Sequence, residues 1–257
     1  MEIQKTALTI AGSDPTGGAG FQADLRAFNK MGVYGLSVPT VLTAQNTEGV
    51  YSIHEVPANF ISEQLDVLLR DIKPDAFKTG MLYNAEAVQA VALKIKEYSL
   101  VNLVIDPVTV SSTGVQLLED KGLDAMKSEL FPFSRVITPN IYEASVLTGI
   151  DISNEKEMKE SAVRLKEQGC EAVIITGGHL GKKAVDMLFD GEEFLSLENE
   201  RLEGEFHGTG CLFSSVITAC LALGYNLKEA FIMAKETVWN AMKTAVPAGK
   251  GMKLLNI

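Results

Sequence analysis

The sequence predicts a large α/β domain. Its 257 residues are enough for one domain of that class with a well-developed core. Residues 100–105 form a β-branched apolar run, which is typical of a parallel strand buried on both faces. Residues 6–11 form a second apolar run, which a glycine loop and a helical pattern follow. No Pro/Ser-rich linker or abrupt change of composition divides the chain, so we expect a single domain over residues 1–257.

Short apolar runs that end in turn-forming residues predict the strands. The predicted strands are 6–11, 36–43, 52–56, 76–79, 100–105, 135–138, 172–176, 185–189 and 193–197. The last two flank Asp190-Gly191-Glu192 and therefore predict an antiparallel hairpin. Apolar residues at helical spacing predict the helices. The predicted helices are 21–31, one through 70 that Asn59 or Ser62 caps, 85–98, one from 139–140 that carries Glu143, 155–167, one that ends at Leu223, and 227–245.

Composition excludes several classes of partner. The formal charge of −10 argues against nucleic acids and anionic membranes. It allows an anionic substrate, because backbone donors and metal ions can outweigh the net charge locally. The three cysteines have no CxxC spacing, which is typical of a reducing cytoplasm without disulfides or structural zinc. Residues 206–227 carry no formal charge, but their helical part is shorter than the ~20 apolar residues that a bilayer requires. We interpret this region as a core helix.

The stretch 207–215 contains the strongest candidate for a binding site. Gly208-Thr209-Gly210 opens a long uncharged helical run, and a turn of this kind leaves several backbone N–H groups unpaired and aligned. These donors and the helix dipole form an anion site suited to phosphate oxygens. The alternative interpretation is a glycine turn that only caps a buried helix. Cys211 follows in the first helical turn, where we expect the thiol pKa to fall below about 8.5; alternatively, Cys211 is a small core residue.

Two familiar glycine motifs are absent from the first strand–loop–helix unit. Gly12 to Gly17 has GxxxxG spacing, but Gly18-Ala19 occupies the place of the lysine and hydroxyl of a P-loop. No GxGxxG occurs there, and the second strand ends without the acidic residue that would hold a ribose, so a dinucleotide site is excluded. Two interpretations of this loop remain: it faces a small planar substrate, or it is a plain turn. The histidines lack the spacing of a catalytic zinc site.

Polar and adaptable residues follow several predicted strands, where ligands of open α/β sheets gather. Gln45 lies just beyond the strand 36–43, and its carboxamide can accept from an exocyclic amine and donate to an adjacent ring nitrogen. A solvated loop glutamine is the alternative. Met81 follows the strand 76–79 and either lines a pocket or fills the core.

Acidic residues follow two further strands. Asp106 ends the strand 100–105, where a buried charge requires a partner or a nearby cation. Asn140 and Glu143 are three residues apart on one helical face and can share a hydrated cation. A helix cap and a solvated acid are the alternative reading of this pair.

A set of motifs in the same order resembles the hydroxymethylpyrimidine/phosphomethylpyrimidine kinases, thiamine-biosynthesis enzymes of the ribokinase superfamily. The resemblance runs from residue 5 to about 245. Its motifs are 8–25, Ala44-Gln45-Asn46-Thr47, Lys78-Thr79-Gly80-Met81-Leu82, Asp106-Pro107-Val108, Thr138-Pro139-Asn140, Glu143-Ala144, Gly177-Gly178-His179 and His207-Gly208-Thr209-Gly210-Cys211. It implies a three-layer α/β/α fold with a mostly parallel central sheet, ATP with Mg²⁺ as cofactors, phosphorylation of a small alcohol, and a homodimer.

The resemblance also implies roles for individual residues. The turn Gly208, Thr209, Gly210 and Cys211 would be the anion hole for the transferring phosphoryl group. Relatives in the superfamily have an aspartate base at the position of Cys211, so this thiol is either a weak general base or a positioner of the hydroxymethyl group. The remaining implied contacts comprise a pyrimidine pocket (Gln45, Asp24, Ala19, Gly20, Met81, Val108), a metal and phosphate set (Asp106, Asn140, Glu143) and a nucleotide edge (Thr176, Gly178, His179, Gly208, Gly210).

The sequence departs from the family pattern in two places. Thr176 occupies the place of a lysine that precedes the paired glycines in many pyrimidine kinases, and a Gly-Pro/His-rich tail is missing. A related group of pyridoxine kinases also lacks that lysine. A pyridoxine, pyridoxal or pyridoxamine kinase is therefore the alternative enzyme, and a non-catalytic nucleotide or pyrimidine sensor is the alternative from another class.

Overall fold

The computed structural model describes residues 4–111, 114–177 and 183–257. Its strands, in chain order, are β1 (Thr6–Ala11), β2 (Tyr34–Pro39), β3 (Val41–Asn46), β4 (Gly49–Glu55), β5 (Ala76–Thr79), β6 (Leu103–Ile105), β7 (Ser134–Ile137), β8 (Val173–Ile175), β9 (Lys183–Phe189), β10 (Phe194–Glu200), β11 (Phe206–His207) and β12 (Lys253–Leu254). Its α-helices are α1 (Gly20–Lys30), α2 (Ala58–Leu69), α3 (Ala85–Glu97), α4 (Asp120–Ala125), α5 (Ile141–Thr148), α6 (Glu155–Lys166), α7 (Thr209–Ala222) and α8 (Leu227–Lys243).

The central sheet has eight strands in the order β10-β9-β8-β7-β6-β5-β1-β2. The six strands from β8 to β2 run parallel, while β9 pairs antiparallel with both β8 and β10. The predicted mostly parallel sheet and the predicted hairpin are therefore confirmed. Because the carboxyl ends of parallel strands meet at one edge, the loops after β1, β5, β6, β7 and β8 converge there.

Helices cover both faces of the sheet, so the predicted three-layer α/β/α architecture is confirmed. One hydrophobic cluster packs α2, α3, α5 and α6 against one face, and the other packs α1, α7 and α8 against the opposite face. Helix α7 is buried at every position from Leu212 to Ala222, which confirms its interpretation as a core helix. In the part of the chain that the structure describes, no helix combines the length and the apolar character that crossing a bilayer requires.

Two details of the predicted elements are wrong. The run 36–43 is two strands, because the chain turns at Thr40: β2 stays in the central sheet, and β3 leaves it to pair antiparallel with β4 as a separate ribbon. Helix α2 begins at Ala58 after Pro57, and neither Asn59 nor Ser62 caps it. Proline fixes φ near the value of the first helical turn, so the helix starts there without a side-chain cap.

Asparagine side chains cap four of the other helices. Asn84, Asn140, Asn154 and Asn226 each accept a hydrogen bond from a backbone N–H of the first turn of α3, α5, α6 and α8. Two of these are capping boxes, in which a glutamate three residues later accepts from the backbone N–H of the asparagine. Glu143 of the α5 capping box is buried, whereas Glu229 of the α8 capping box is exposed.

Candidate active site

One cavity of about 1830 Å³ follows the carboxyl edge of the sheet. It brings together the predicted residues from distant parts of the chain. Those that line it are Ala19, Gly20, Asp24, Gln45, Met81, Val108, Asp106, Asn140, Glu143, Thr176, Gly208, Thr209, Gly210 and Cys211. Gly178 and His179 lie outside the described residues.

The predicted anion turn lies at the start of α7. Gly208 has a φ of +83°, which glycine adopts without the steric cost that a side chain would bring. The N–H of Leu212 donates to the carbonyl of Gly208, so the N–H groups of Thr209, Gly210 and Cys211 precede the first intrahelical bond of α7. A Cβ atom on Gly208 would lie 1.8 Å from the carbonyl oxygen of Gly18. The turn is therefore packed directly against the first glycine loop.

The pKa of the Cys211 thiol is raised, not lowered as the sequence predicted. Burial raises the pKa of Cys211, and the nearby charge of Asp106 raises it further. The carboxylate of Asp106 and the backbone N–H of Gly20 are the polar groups beside the thiol. The predicted lowering of the thiol pKa is wrong, because desolvation and a carboxylate outweigh the helix N-terminus. Cys211 is a protonated hydrogen-bonding group at neutral pH.

Asp106 follows β6 and is buried. Burial raises its pKa, while the ammonium of Lys78 and the hydroxyl of Ser214 oppose that rise. The Oγ of Ser214 donates to Oδ2 of Asp106 at 3.0 Å, and the Nζ of Lys78 lies 3.8 Å from the same oxygen. The expectation that this buried charge has a partner is confirmed.

Asn140 and Glu143 form the capping box of α5. The Oδ1 of Asn140 accepts from the N–H of Glu143, and Oε2 of Glu143 accepts from the N–H of Asn140, both at 2.9 Å. The cap of the alternative reading is therefore present, but the acid is buried, not solvated. Burial and then the charge of Asp106 raise the pKa of Glu143 to about 8.

These carboxyl groups suit a magnesium ion. Burial raises the pKa of both Asp106 and Glu143, and the charge of Asp106 further raises the pKa of Glu143, so a cation between them would favour both ionised forms. Their donors are hard oxygens, and Mg²⁺ commonly takes only one or two carboxylates and completes its shell with water and phosphate. Among the described residues, no three His, Cys, Asp or Glu side chains are grouped to hold a metal ion by themselves. The set therefore fits an ion that arrives with phosphate oxygens.

Glu143 gives a testable pH dependence. Its pKa is raised from 4.5 to about 8 in the folded chain, so the unfolded chain loses its proton first as the pH rises. The free energy of unfolding therefore falls through this pH range. We expect Glu143→Gln, which keeps the capping box, to remove this loss and to stabilise the protein at pH 8.5 by more than about 1.4 kcal/mol, the equivalent of one pKa unit. Urea unfolding at pH 5 and pH 8.5 without divalent cations measures it.

The matched control is Glu229→Gln, which makes the same change in the exposed capping box of α8. We expect the control to leave the pH dependence of unfolding as it is in the wild type. An equal pH response in both variants would contradict the raised pKa of Glu143.

Asp24 also lines the cavity, although its side chain is buried. Its carboxylate accepts from the hydroxyls of Thr9 and Ser215, each at 2.6 Å, and pairs with Lys78 at 2.8 Å. Protein groups thus surround this carboxylate in the structure. The predicted contact of Asp24 with the pyrimidine stays a prediction.

Met81 and Val108 belong to the small apolar part of the cavity. Met81 packs with Val41 and Leu117, and Val108 lies against them. Opposite them, Gly20 has a φ of +62° at the start of α1, and its N–H reaches Cys211. An apolar surface beside a glycine loop leaves room for a flat ring.

Gln45 lies on the ribbon strand β3, not beyond the end of a sheet strand as predicted. A β-bulge between Ala44 and Gln45 interrupts the ribbon there. The Nε2 of Gln45 is 3.1 Å from Nε2 of His207, and the hydroxyl of Thr43 donates to Oε1 of Gln45 at 3.3 Å. The side chain is half-buried and remains on the cavity wall.

The sequence analysis gave no role to three of the groups that shape the site. Asp14 has a lowered pKa, and its carboxylate binds Nε2 of His207 at 2.8 Å and the N–H of Ala19 at 2.8 Å. This contact ties the first glycine loop to the residue before the anion turn. Lys78 lies in β5, whose four positions are all buried. The sequence contained a signal for Lys78, because a lysine within a short apolar strand needs a buried partner.

The expected nucleotide edge is described only in part. Thr176 forms an isolated parallel β-bridge with Asn140. The N–H of Gly177 donates to Oδ1 of Asp186 at 2.9 Å. Asp186 in turn pairs with Lys235 of α8 at 2.9 Å. This buried pair fixes the backbone at Gly177.

Comparisons with known proteins agree with this geometry. The family model described as phosphomethylpyrimidine kinase matches residues 14–256. The hydroxymethylpyrimidine/phosphomethylpyrimidine kinase of Bacillus subtilis is 41% identical over 254 residues, 98% of this chain and 93% of that protein. The thiamine biosynthesis bifunctional protein ThiED of Geobacter sulfurreducens is 47% identical over 246 residues, 95% of this chain, but the chain spans only 50% of that protein. A solved ADP complex of Bacillus subtilis pyridoxal kinase is 38% identical with a TM-score of 0.90, covering 98% of this chain and 97% of that one.

Proposed function

Because the chain belongs to the phosphomethylpyrimidine kinase family, as its motifs predict, we propose that it is an ATP-dependent kinase of thiamine biosynthesis. Its substrates are 4-amino-5-hydroxymethyl-2-methylpyrimidine and then the monophosphate of that pyrimidine. One observation carries the proposal: the anion turn and the wall made by Gln45, Met81 and Val108 face the same cavity. A phosphate donor and a flat heterocyclic alcohol can therefore meet there.

The transfer needs an oxygen nucleophile, an anion site and little covalent participation by the protein. The hydroxymethyl oxygen attacks the γ-phosphorus of ATP, the bond from that phosphorus to the bridging oxygen breaks, and ADP leaves while the hydroxyl proton is released. The N–H groups of Thr209, Gly210 and Cys211 donate to the γ-phosphoryl oxygens. Catalysis then rests on positioning and charge stabilisation, which is characteristic of phosphoryl transfer.

Asp106, Asn140 and Glu143 are the residues that we propose for Mg²⁺. When bound, the ion supplies positive charge to the phosphate oxygens. The side-chain oxygen of Asn140 and Oε2 of Glu143 accept backbone hydrogen bonds in the capping box, and these two residues would hold the ion at the start of α5. The carboxylate of Asp106, which follows β6, would hold the same ion.

Cys211 positions the alcohol in this proposal. A thiol with a raised pKa is a poor proton acceptor, and a loose transition state asks little of a base. Between Asp106 and the N–H of Gly20, the sulfur is held at the mouth of the anion turn. For the nucleotide we propose the contacts that the resemblance implies, namely Thr176, Gly178, His179, Gly208 and Gly210.

A kinase of vitamin B6 is the second candidate. Two observations favour it: the likeness to a pyridoxal kinase at 38% identity, and Thr176 at the position of the family's lysine. A coupled assay with Mg-ATP across the pyrimidine, its monophosphate, pyridoxine, pyridoxal and pyridoxamine compares the two activities. Pyrimidine binding without turnover would instead indicate a sensor.

Gln45 separates the two kinase activities. We expect Gln45→Ala to lower kcat/KM for the pyrimidine by about 30-fold or more, because a carboxamide that pairs with an aminopyrimidine edge loses two hydrogen bonds. Pyridoxal lacks that edge, so its kcat/KM changes by less than about threefold. The same coupled assay measures both values.

The control for this prediction is Gln64→Ala, a half-buried glutamine of α2 whose amide contacts the carbonyl of Pro39. We expect no change in either activity. Equal losses of pyrimidine and pyridoxal turnover in Gln45→Ala would count against the pyrimidine assignment.

We also propose that the enzyme works in the cytoplasm as a homodimer and binds neither nucleic acid nor membrane. The cysteine pattern supports the cytoplasm, and the negative charge supports the absence of nucleic-acid and membrane binding. The family resemblance supports the dimer. Sedimentation equilibrium measures the assembly directly.

A further inference from the structure

Lys78 is the most completely enclosed charged side chain near the proposed site, with no exposed area. Five oxygen atoms surround its Nζ. They are Oδ1 of Asp24 at 2.8 Å, Oγ of Ser214 at 2.8 Å, Oγ of Ser215 at 3.3 Å, the carbonyl of Cys211 at 3.5 Å and Oδ2 of Asp106 at 3.8 Å. The ammonium thus joins α1, the first turns of α7 and the end of β6.

One carboxylate is enough to neutralise the ammonium of Lys78, and Asp24 is the nearer of the two that pair with it. Its carboxylate is only 2.8 Å away and is itself fixed by the hydroxyls of Thr9 and Ser215. Burying an ion pair costs desolvation that the attraction and additional hydrogen bonds must offset, and this pair has them. The contacts of Lys78 toward Asp106 and Cys211 are therefore additional to what neutralisation requires.

Those additional contacts set the direction of a hydrogen-bond chain. A lysine ammonium only donates, so Ser214 accepts from it and keeps its single proton for an acceptor. That proton can reach Oδ2 of Asp106 at 3.0 Å. The other oxygen, Oδ1, faces the anion turn, 4.0 Å from the place that a Cβ atom on Gly210 would occupy. One end of the carboxylate is held by Lys78 and Ser214, and the other end points to the reacting side.

We propose that Lys78 is a positioning residue for phosphoryl transfer, which fixes the carboxylate of Asp106 and the first turn of α7 relative to each other. This inference rests on the proposed function, because it concerns the same anion turn. It gives the buried lysine a role that its pairing with Asp24 does not explain. Misplacement of the turn by a fraction of an ångström would lower the rate without removing the groups that bind the ligands.

The test uses the double variant Asp24→Asn/Lys78→Met, because Lys78→Met alone would leave Asp24 as an unpaired buried charge. The double variant removes Lys78 together with its nearer carboxylate and keeps a hydrogen-bonding side chain beside Thr9 and Ser215, while Asp106 keeps the hydrogen bond from Ser214. We expect it to fold, to bind ADP in calorimetry with a Kd within about threefold of the wild type, and to lose about 10- to 100-fold in kcat with little change in either KM. Hydrogen exchange in residues 209–215 becomes faster.

The matched control is Asp66→Asn/Lys94→Met, which removes a Lys–Asp pair of 2.8 Å that lies away from the cavity. We expect it to leave kcat and exchange in α7 unchanged. Wild-type kcat and wild-type exchange in the Asp24/Lys78 double variant would overturn the role of Lys78, and so would failure of the double variant to fold, since Lys78 would then be needed for the structure itself. Absence of turnover in the wild type would instead overturn the proposed function, and exchange in α7 would still test Lys78.

Discussion

Asp106→Asn is expected to lower kcat by about 10³-fold while the protein stays folded. The substitution removes the carboxylate that faces both the anion turn and the proposed magnesium position, and it keeps the acceptor for Ser214. Lys78 retains its nearer partner Asp24, so no buried charge is left alone. Steady-state kinetics with Mg-ATP and the pyrimidine, together with thermal unfolding, measure the two effects separately.

Asp75→Asn is the control for this experiment. Asp75 also pairs with a lysine, Lys5 at 2.7 Å, but it lies beside Thr6 at the amino end of β1, opposite the cavity. We expect a small loss of stability, of the order of 1 kcal/mol or less, and no loss of kcat. If Asp106→Asn kept its kcat within about threefold of that control, Asp106 would have no part in the transfer.

Gly208→Ala is expected to lower kcat by about 10²-fold or more. A methyl group at this position would lie 1.8 Å from the carbonyl oxygen of Gly18, so one of the two backbones must move. Because the donors of the anion turn follow Gly208 immediately, the movement displaces them from the phosphoryl oxygens. Kinetics and ADP binding by calorimetry measure the loss.

Gly224→Ala provides a closely matched control in the same helix. Gly224 follows the other end of α7 and has a φ of +88°, similar to the +83° of Gly208, but no atom lies within 4 Å of its added Cβ. Both variants therefore carry the strain of an alanine in the left-handed region, about 1–2 kcal/mol, and only one carries the clash. Equal kcat values in the two variants would contradict the importance of the contact between the loops.

The features that the sequence could predict depend on neighbours in the chain. The β-branched run before Asp106 and the Asn140/Glu143 spacing carry their own signals, and the structure contains the buried strand and the capping box. The separate β3–β4 ribbon was not predicted, because the residues on both sides of Thr40 form one apolar run in the sequence. Only the tertiary fold decides where such a run leaves a sheet.

The electrostatics of the site depend on residues far apart in the chain. Lys78 is separated from Asp24 by 54 positions and from Ser214 by 136, so no local pattern links them. The error about Cys211 has the same origin: the helix start was visible in the sequence, whereas the carboxylate that outweighs it comes from another strand. The sequence thus predicted most of the residues that the structure brings together at the cavity, but not the electrostatic interactions between them.

The hydrogen bond between Asp14 and His207 and the close approach of Gly18 to Gly208 join the first glycine loop to the anion turn. An adjustment of one loop to its ligand is therefore transmitted to the other. By thermodynamic reciprocity, if ATP strengthens the binding of the alcohol, the alcohol strengthens the binding of ATP by the same factor. In the proposed function, coupling of this kind favours the ternary complex of enzyme, ATP and alcohol over either binary complex.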